Sequence, residues 1–164
     1  MTIFVKNKHT LEIDEFKFKC CIGKKGFTKH KKEGDKKTPK GTFEIENLYF
    51  RKDRMEKPST LLKCVEIKGN MGWCDDINYP KKYNKLLKII KKIKHEKLKR
   101  KDSKYDLLIP IKYNFKKPVT GLGSCIFIHL TKDYKPTAGC VAMKKKDFLI
   151  MLKLIRKNTK IKIN

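Results

Sequence analysis

The sequence predicts a β-rich α+β domain on three grounds. Short runs that alternate apolar with polar or basic residues recur along most of the chain, which is the period of half-buried strands. Turn formers (Gly, Pro, Asn and Asp) separate those runs. Only two stretches, residues 85–100 and the segment holding Phe148 and Ile155, space their apolar residues as a helix does, and both lie late in the chain. A chain of 164 residues with 39% hydrophobic side chains suits one globular domain, residues 1–164, with a core of its own.

The elements follow in order. Residues 2–5 (TIFV) and 10–13 (TLEI) form a short hairpin. Phe16, Phe18 and Cys20 alternate with lysines, so 16–20 is the next strand. A glycine- and lysine-rich loop then runs to Gly41. It lacks the G-x-x-x-x-G-K-[ST] pattern, so nothing in it cradles phosphate. Pro39 and Gly41 close the loop, and 42–50 (TFEIENLYF) continues as a strand. Residues 64–67 make another strand, followed by a turn-rich segment, 69–84, that carries Trp73, Asp75, Asp76, Tyr83 and Asn84. Leu87, Ile90, Ile93 and Leu98 give 85–100 the pattern of a basic amphipathic helix, with His95 solvated among its charges. Such a helix either covers the core or meets a membrane surface or partner. Tyr105 opens a strand over 105–109. Residues 121–129 form a turn feeding a buried strand that ends at His129. Phe148, Met151, Leu152 and Ile155 mark a final helix, and 159–163 a last strand.

The formal charge is +26, carried by 43 Lys and Arg against 17 Asp and Glu. That excess suits a polyanion such as nucleic acid, an anionic membrane face or an acidic polymer. The lysines are dispersed rather than clustered and interleaved with aromatics, so specific nucleic-acid recognition is not expected. Six cysteines, at 20, 21, 64, 74, 125 and 140, make no C-x-x-C pair. They form neither a disulfide framework nor a metal-ligand set, and Asp75 with Asp76 lacks partner ligands. Reduced, mostly buried thiols are expected, with Cys140 the exception.

Cys140 stands out because of its neighbours. His129 ends an apolar run, and Cys140 follows eleven positions later, directly after Gly139. An imidazole that takes a thiol's proton makes sulfur a strong nucleophile. A glycine before the nucleophile frees the backbone so that amide N–H groups can face a developing oxyanion.

The series His129, Thr137, Ala138, Gly139, Cys140, Val141 resembles the signature of the L,D-transpeptidase catalytic domain (YkuD-type) family: His, a loop, Ser or Thr, any residue, Gly, Cys, an aliphatic residue. Many members carry Arg two residues after the Cys, where this chain has Ala142. Thr38-Pro39-Lys40-Gly41-Thr42-Phe43 resembles the family's second signature, T-P-x-G-x-F, with Glu33-Gly34-Asp35 just before it. The resemblance spans about residue 16 to the end. It implies a mixed β-sandwich-like catalytic fold with a few peripheral helices.

The resemblance also implies an activity. Cys140 is the nucleophile, His129 the general base and acid, and Gly139, Thr137 and Val141 shape the site and its oxyanion donors. A backbone carbonyl, rather than an Asp, orients the imidazole. Thr38, Pro39, Gly41 and Trp73 are candidate substrate contacts, and Lys32 and Lys40 candidate partners for substrate carboxylates. The substrate is a peptidoglycan stem peptide or muropeptide, its acyl group passing through a Cys140 thioester to an amine, or to water in an L,D-carboxypeptidase on the same scaffold. No cofactor is implied. A non-enzymatic basic module with weak anionic-polymer affinity is the reading of another class. The family's chemistry belongs to the bacterial periplasm or cell wall. The N-terminus turns polar too early for a signal peptide, and the unpaired cysteines suit a reducing compartment, so a cytoplasmic location is also expected.

Overall fold

A computed structural model describes residues 1–164. The strands, in chain order, are β1 (Thr2–Val5), β2 (Thr10–Ile13), β3 (Phe16–Cys21), β4 (Phe27–Thr28), β5 (Thr38–Pro39), β6 (Gly41–Glu44), β7 (Leu48–Phe50), β8 (Cys64–Glu66), β9 (Met71–Cys74), β10 (Leu86–Lys88), β11 (His95–Lys97), β12 (Leu107–Pro110), β13 (Phe127–Leu130), β14 (Val141–Met143) and β15 (Lys160–Ile163). One helix, α1 (Lys145–Leu154), lies between the last two. The chain is therefore β-rich α+β, with a single helix in place of the several expected.

Ten strands form one sheet in the order β6-β15-β1-β2-β3-β14-β13-β12-β7-β8. The sheet curls. Residues 42–50 do not run as one strand: the chain breaks after Glu44 and passes from one flank of the sheet to the other. Ile45 bridges Ile111 there, Lys112 N–H donates to the Glu44 carbonyl (2.8 Å), and Glu46 N–H donates to that of Pro110 (2.9 Å). The break satisfies backbone groups on both flanks and draws them together.

Strand alternation sorts side chains to the two faces. Ile128, Leu130, Val141, Met143, Leu107 and Ile109 enter the larger core, which α1 covers with Phe148, Met151 and Leu152. Phe127, Leu108 and Cys140 enter a smaller core on the other face, with Tyr49, Ile67, Trp73, Leu98 and Tyr105. His129 shares the face of Phe127, two residues earlier on β13.

Residues 85–100 are not a helix. They supply β10 and β11, which flank β9 in a separate antiparallel sheet: Leu86 pairs with Trp73 on one side, and Glu96 with Trp73 on the other. A helix would stack Lys88, Lys91, Lys92, Lys94 and Lys97 at three- and four-residue spacings, where like charges repel. Pairing with β9 avoids this and buries Ile93 and Leu98, while Ile90 stays exposed. His95 is half-buried rather than fully solvated. Its Nδ1 lies 2.7 Å from the Ile93 carbonyl, and its ring covers Gly72, where a Cβ would sit 2.8 Å from Cδ2. The turn-rich segment 69–84 likewise contains β9. All six cysteines are free. No helix is long and apolar enough to cross a membrane.

Candidate active site

The two short motifs, a hundred residues apart in sequence, meet in space. The Thr38 hydroxyl, fully buried on β5, donates to the Gly139 carbonyl (2.8 Å) and accepts from Gly23 N–H (2.9 Å). Gly23 also bridges Thr137 in parallel, Thr137 N–H donates to Ile22 O, and Lys24 N–H donates to Thr137 O (2.9 Å each). Both segments need glycine there. A Cβ on Gly23 would lie 2.6 Å from the Lys36 carbonyl. Gly139 has φ +146°, and a Cβ on it would lie 2.9 Å from the Lys37 carbonyl.

Thr137 then sets the turn into the cysteine. Its hydroxyl donates to the Cys140 carbonyl (2.6 Å) and accepts from Gly139 N–H (3.1 Å). The Cys140 N–H has no partner of its own. The thiol accepts from Phe127 N–H (3.3 Å) and donates to the Cys125 carbonyl (3.1 Å). Cys125 holds φ +54°, and its N–H donates to the Asn84 side chain (3.1 Å), as does the Trp73 indole (3.0 Å).

His129 sits beside β14, in register with Ala142. Its Nδ1 lies 2.9 Å from the Leu130 carbonyl. A carbonyl only accepts, so Nδ1 carries the hydrogen and Nε2 holds the basic lone pair. Tyr105 packs edge-on against the ring at 5.3 Å. Burial, reinforced by the Lys104 and Arg100 charges, lowers the imidazole pKa to about 4, against the pull of the Leu130 carbonyl. Burial pushes the Cys140 thiol up to about 12 despite the Phe127 N–H. At neutral pH the pair is thus a thiol and a neutral imidazole, not an ion pair. No direct hydrogen bond joins them; the thiol proton rests on Cys125 O.

Cys140, His129, Gly139, Thr137 and Ala142 line one open groove of about 990 Å³. Although buried as a whole residue at 8% exposure, Cys140 reaches this space. Val141 points into the larger core. Thr38, Pro39, Gly41 and Trp73 are not in the groove lining. Thr38 braces Gly139 from behind, Pro39 is buried beside it, Gly41 lies against the Phe43 ring, and Trp73 fills the smaller core at 2% exposure. Lys32 and Lys40 are exposed, and neither lines the groove. The segment around Trp73 divides: Trp73, Tyr83 and Asn84 pack inside, whereas Asp75 and Asp76 form groove wall.

The lining also holds charged residues, of which the sequence had brought forward only Glu33, Asp75 and Asp76. Its acids are Glu33, Asp75, Asp76, Glu96 and Asp133, and its bases Lys31, Lys94, Arg100, Lys104 and Lys135. Five of each, in a chain of net charge +26, make the groove electrically balanced. No group of three or more His, Cys, Asp or Glu is placed to hold a metal ion.

The model of the YkuD family, described as the L,D-transpeptidase catalytic domain, matches residues 1–163. The chain belongs to this family. No curated protein and no solved structure matches it. Members act on peptidoglycan stem peptides and are usually bacterial and associated with the cell wall. Ala142, at the position where many members carry Arg, lines the groove between His129 and Cys21 in the sheet register.

Proposed function

We propose that the chain is a cysteine-dependent L,D-transpeptidase that forms a thioester with peptidoglycan stem peptides. The observation that carries this reading is the tautomer of His129. With Nδ1 held by Leu130 O, the base nitrogen is Nε2, on the residue that shares the groove with Cys140. The thiol first turns from Cys125 O toward Nε2. As sulfur bonds to the peptide carbonyl carbon, its proton passes to Nε2 and negative charge gathers on oxygen. The unengaged Cys140 N–H is the donor for that oxyanion. Collapse breaks the C–N bond, and the imidazolium returns its proton to the departing amine. An acceptor amine then attacks the thioester and gives its proton to Nε2, and the released sulfur recovers a proton.

The balanced groove favours a peptide carrying both charges over a long polyanion, which would meet five carboxylates there. Muropeptides incubated with and without an amine acceptor test the reading. Cross-linked or exchanged product that depends on the amine supports a transpeptidase. Release of the terminal residue to water alone makes the chain an L,D-carboxypeptidase. Intact substrate in both arms, together with salt-sensitive binding to anionic polymer, would replace both with a binding module.

A further inference from the structure

We infer that Lys104 anchors the α-carboxylate of the residue that departs during acylation, so that donor peptides are read by their free C-terminus. The inference rests on the thioester chemistry proposed above and adds the residue that selects the donor. Four of the five groove cations are already engaged. Lys31 is held by Asp35 and by the Lys32 carbonyl, and Lys94 faces Asp75 at 3.5 Å. Arg100 is forked between Glu96 and Asp102, and Lys135 pairs with Asp133 at 3.1 Å. The Lys104 ammonium alone makes no ion pair, although its charge is felt at Asp102.

Its backbone is fixed at the imidazole. Leu130 N–H donates to the Lys104 carbonyl (2.9 Å), and Lys104 N–H donates to the Asp102 carboxylate (3.0 Å). The next residue, Tyr105, packs against the His129 ring. Its charge is felt by both His129 and Cys21, the two residues that flank Ala142 in the sheet. Lys104, His129 and Ala142 all line the groove, which is the room open to the ammonium.

The chemistry places a carboxylate in that room. His129 protonates the leaving nitrogen, so the departing residue lies on the imidazole side of the scissile bond. Its α-carboxylate is two bonds from that nitrogen. In a peptide that continues further, an uncharged amide takes its place and gives the ammonium no anion to pair.

Acylation is measured by intact mass with two stem peptides that differ only in a C-terminal carboxylate or carboxamide, on the wild type, Lys104→Met and Lys104→Arg. Lys104 is exposed, so both variants are expected to fold, and thermal midpoints check this. One charge-assisted hydrogen bond predicts that the wild type prefers the acid about tenfold to a hundredfold in kcat/KM, mostly through KM. Lys104→Met brings the two peptides level, and Lys104→Arg keeps most of the preference. A preference that persists in folded Lys104→Met, or is missing from the wild type, overturns the assignment. Absence of any adduct on wild-type protein with either peptide is a different failure: it removes the thioester chemistry, and this assignment with it.

Discussion

Replacing His129 with Gln tests the resting protonation state through stability as well as rate. Burial holds the His129 pKa at about 4, against 6.5 for an ordinary imidazole. The unfolded chain therefore binds this proton more readily than the folded one, and stability falls as pH drops from the unfolded value toward the folded one. The penalty is about 2 kcal/mol at pH 5 and about 3 kcal/mol at pH 4, at 1.36 kcal/mol per pKa unit. Carboxylates such as Asp35, Asp76 and Asp102, held below their usual range by hydrogen bonds, lose their own stabilisation in acid. They are common to both proteins, so the difference between wild type and His129→Gln isolates the imidazole. Urea unfolding at pH 7.5, 6, 5 and 4 should show the variant less sensitive to acid by those amounts. The rate gives a second reading. A base of pKa about 4 is still about 90% neutral at pH 5, so acylation by the folded enzyme should persist there without a step near pH 6.5. Parallel stability curves, or an acid limb at pH 6.5, would refute the buried, neutral histidine.

Other substitutions probe the scaffold behind the cysteine. Thr38→Val removes the hydroxyl between Gly23 N–H and Gly139 O, leaving two buried backbone groups unpaired; at about 1–3 kcal/mol for each, urea denaturation should show a loss of about 2–6 kcal/mol. Gly139→Ala places a methyl against Lys37 O at a positive φ, so a drop in thermal midpoint and at least a tenfold loss of acylation rate are expected. His129→Ala should slow acylation about a hundredfold or more, measured in a single turnover.

Much of the fold was legible because strand alternation is local. Phe16 to Cys20 and Thr10 to Ile13 carry their facing in their own spacing, and the structure places Phe18, Cys20, Leu11 and Ile13 in the core. The segment 85–100 misled because its apolar spacing fits a helix, whereas its conformation is set by β9, a partner that periodicity does not reveal. The break at Ile45 was hidden for the same reason: its bridge to Ile111 is long-range. At the site, the sequence brought His129, Thr137, Gly139 and Cys140 into view because they lie in one segment. Thr38 stood out by its motif, but its structural place, as a brace on Gly139, depends on loop closure. Lys104, Arg100 and Glu96 reach the groove only through tertiary packing, and no spacing marked them.

The most direct measurement is mass spectrometry of the intact protein after exposure to a tetrapeptide stem, followed by mapping of the modified residue. The predicted result is a covalent acyl adduct on Cys140 that survives in Cys20→Ala and Cys125→Ala and is abolished in Cys140→Ala. An adduct that persists in folded Cys140→Ala, or a wild-type protein that is never acylated, contradicts the thioester account.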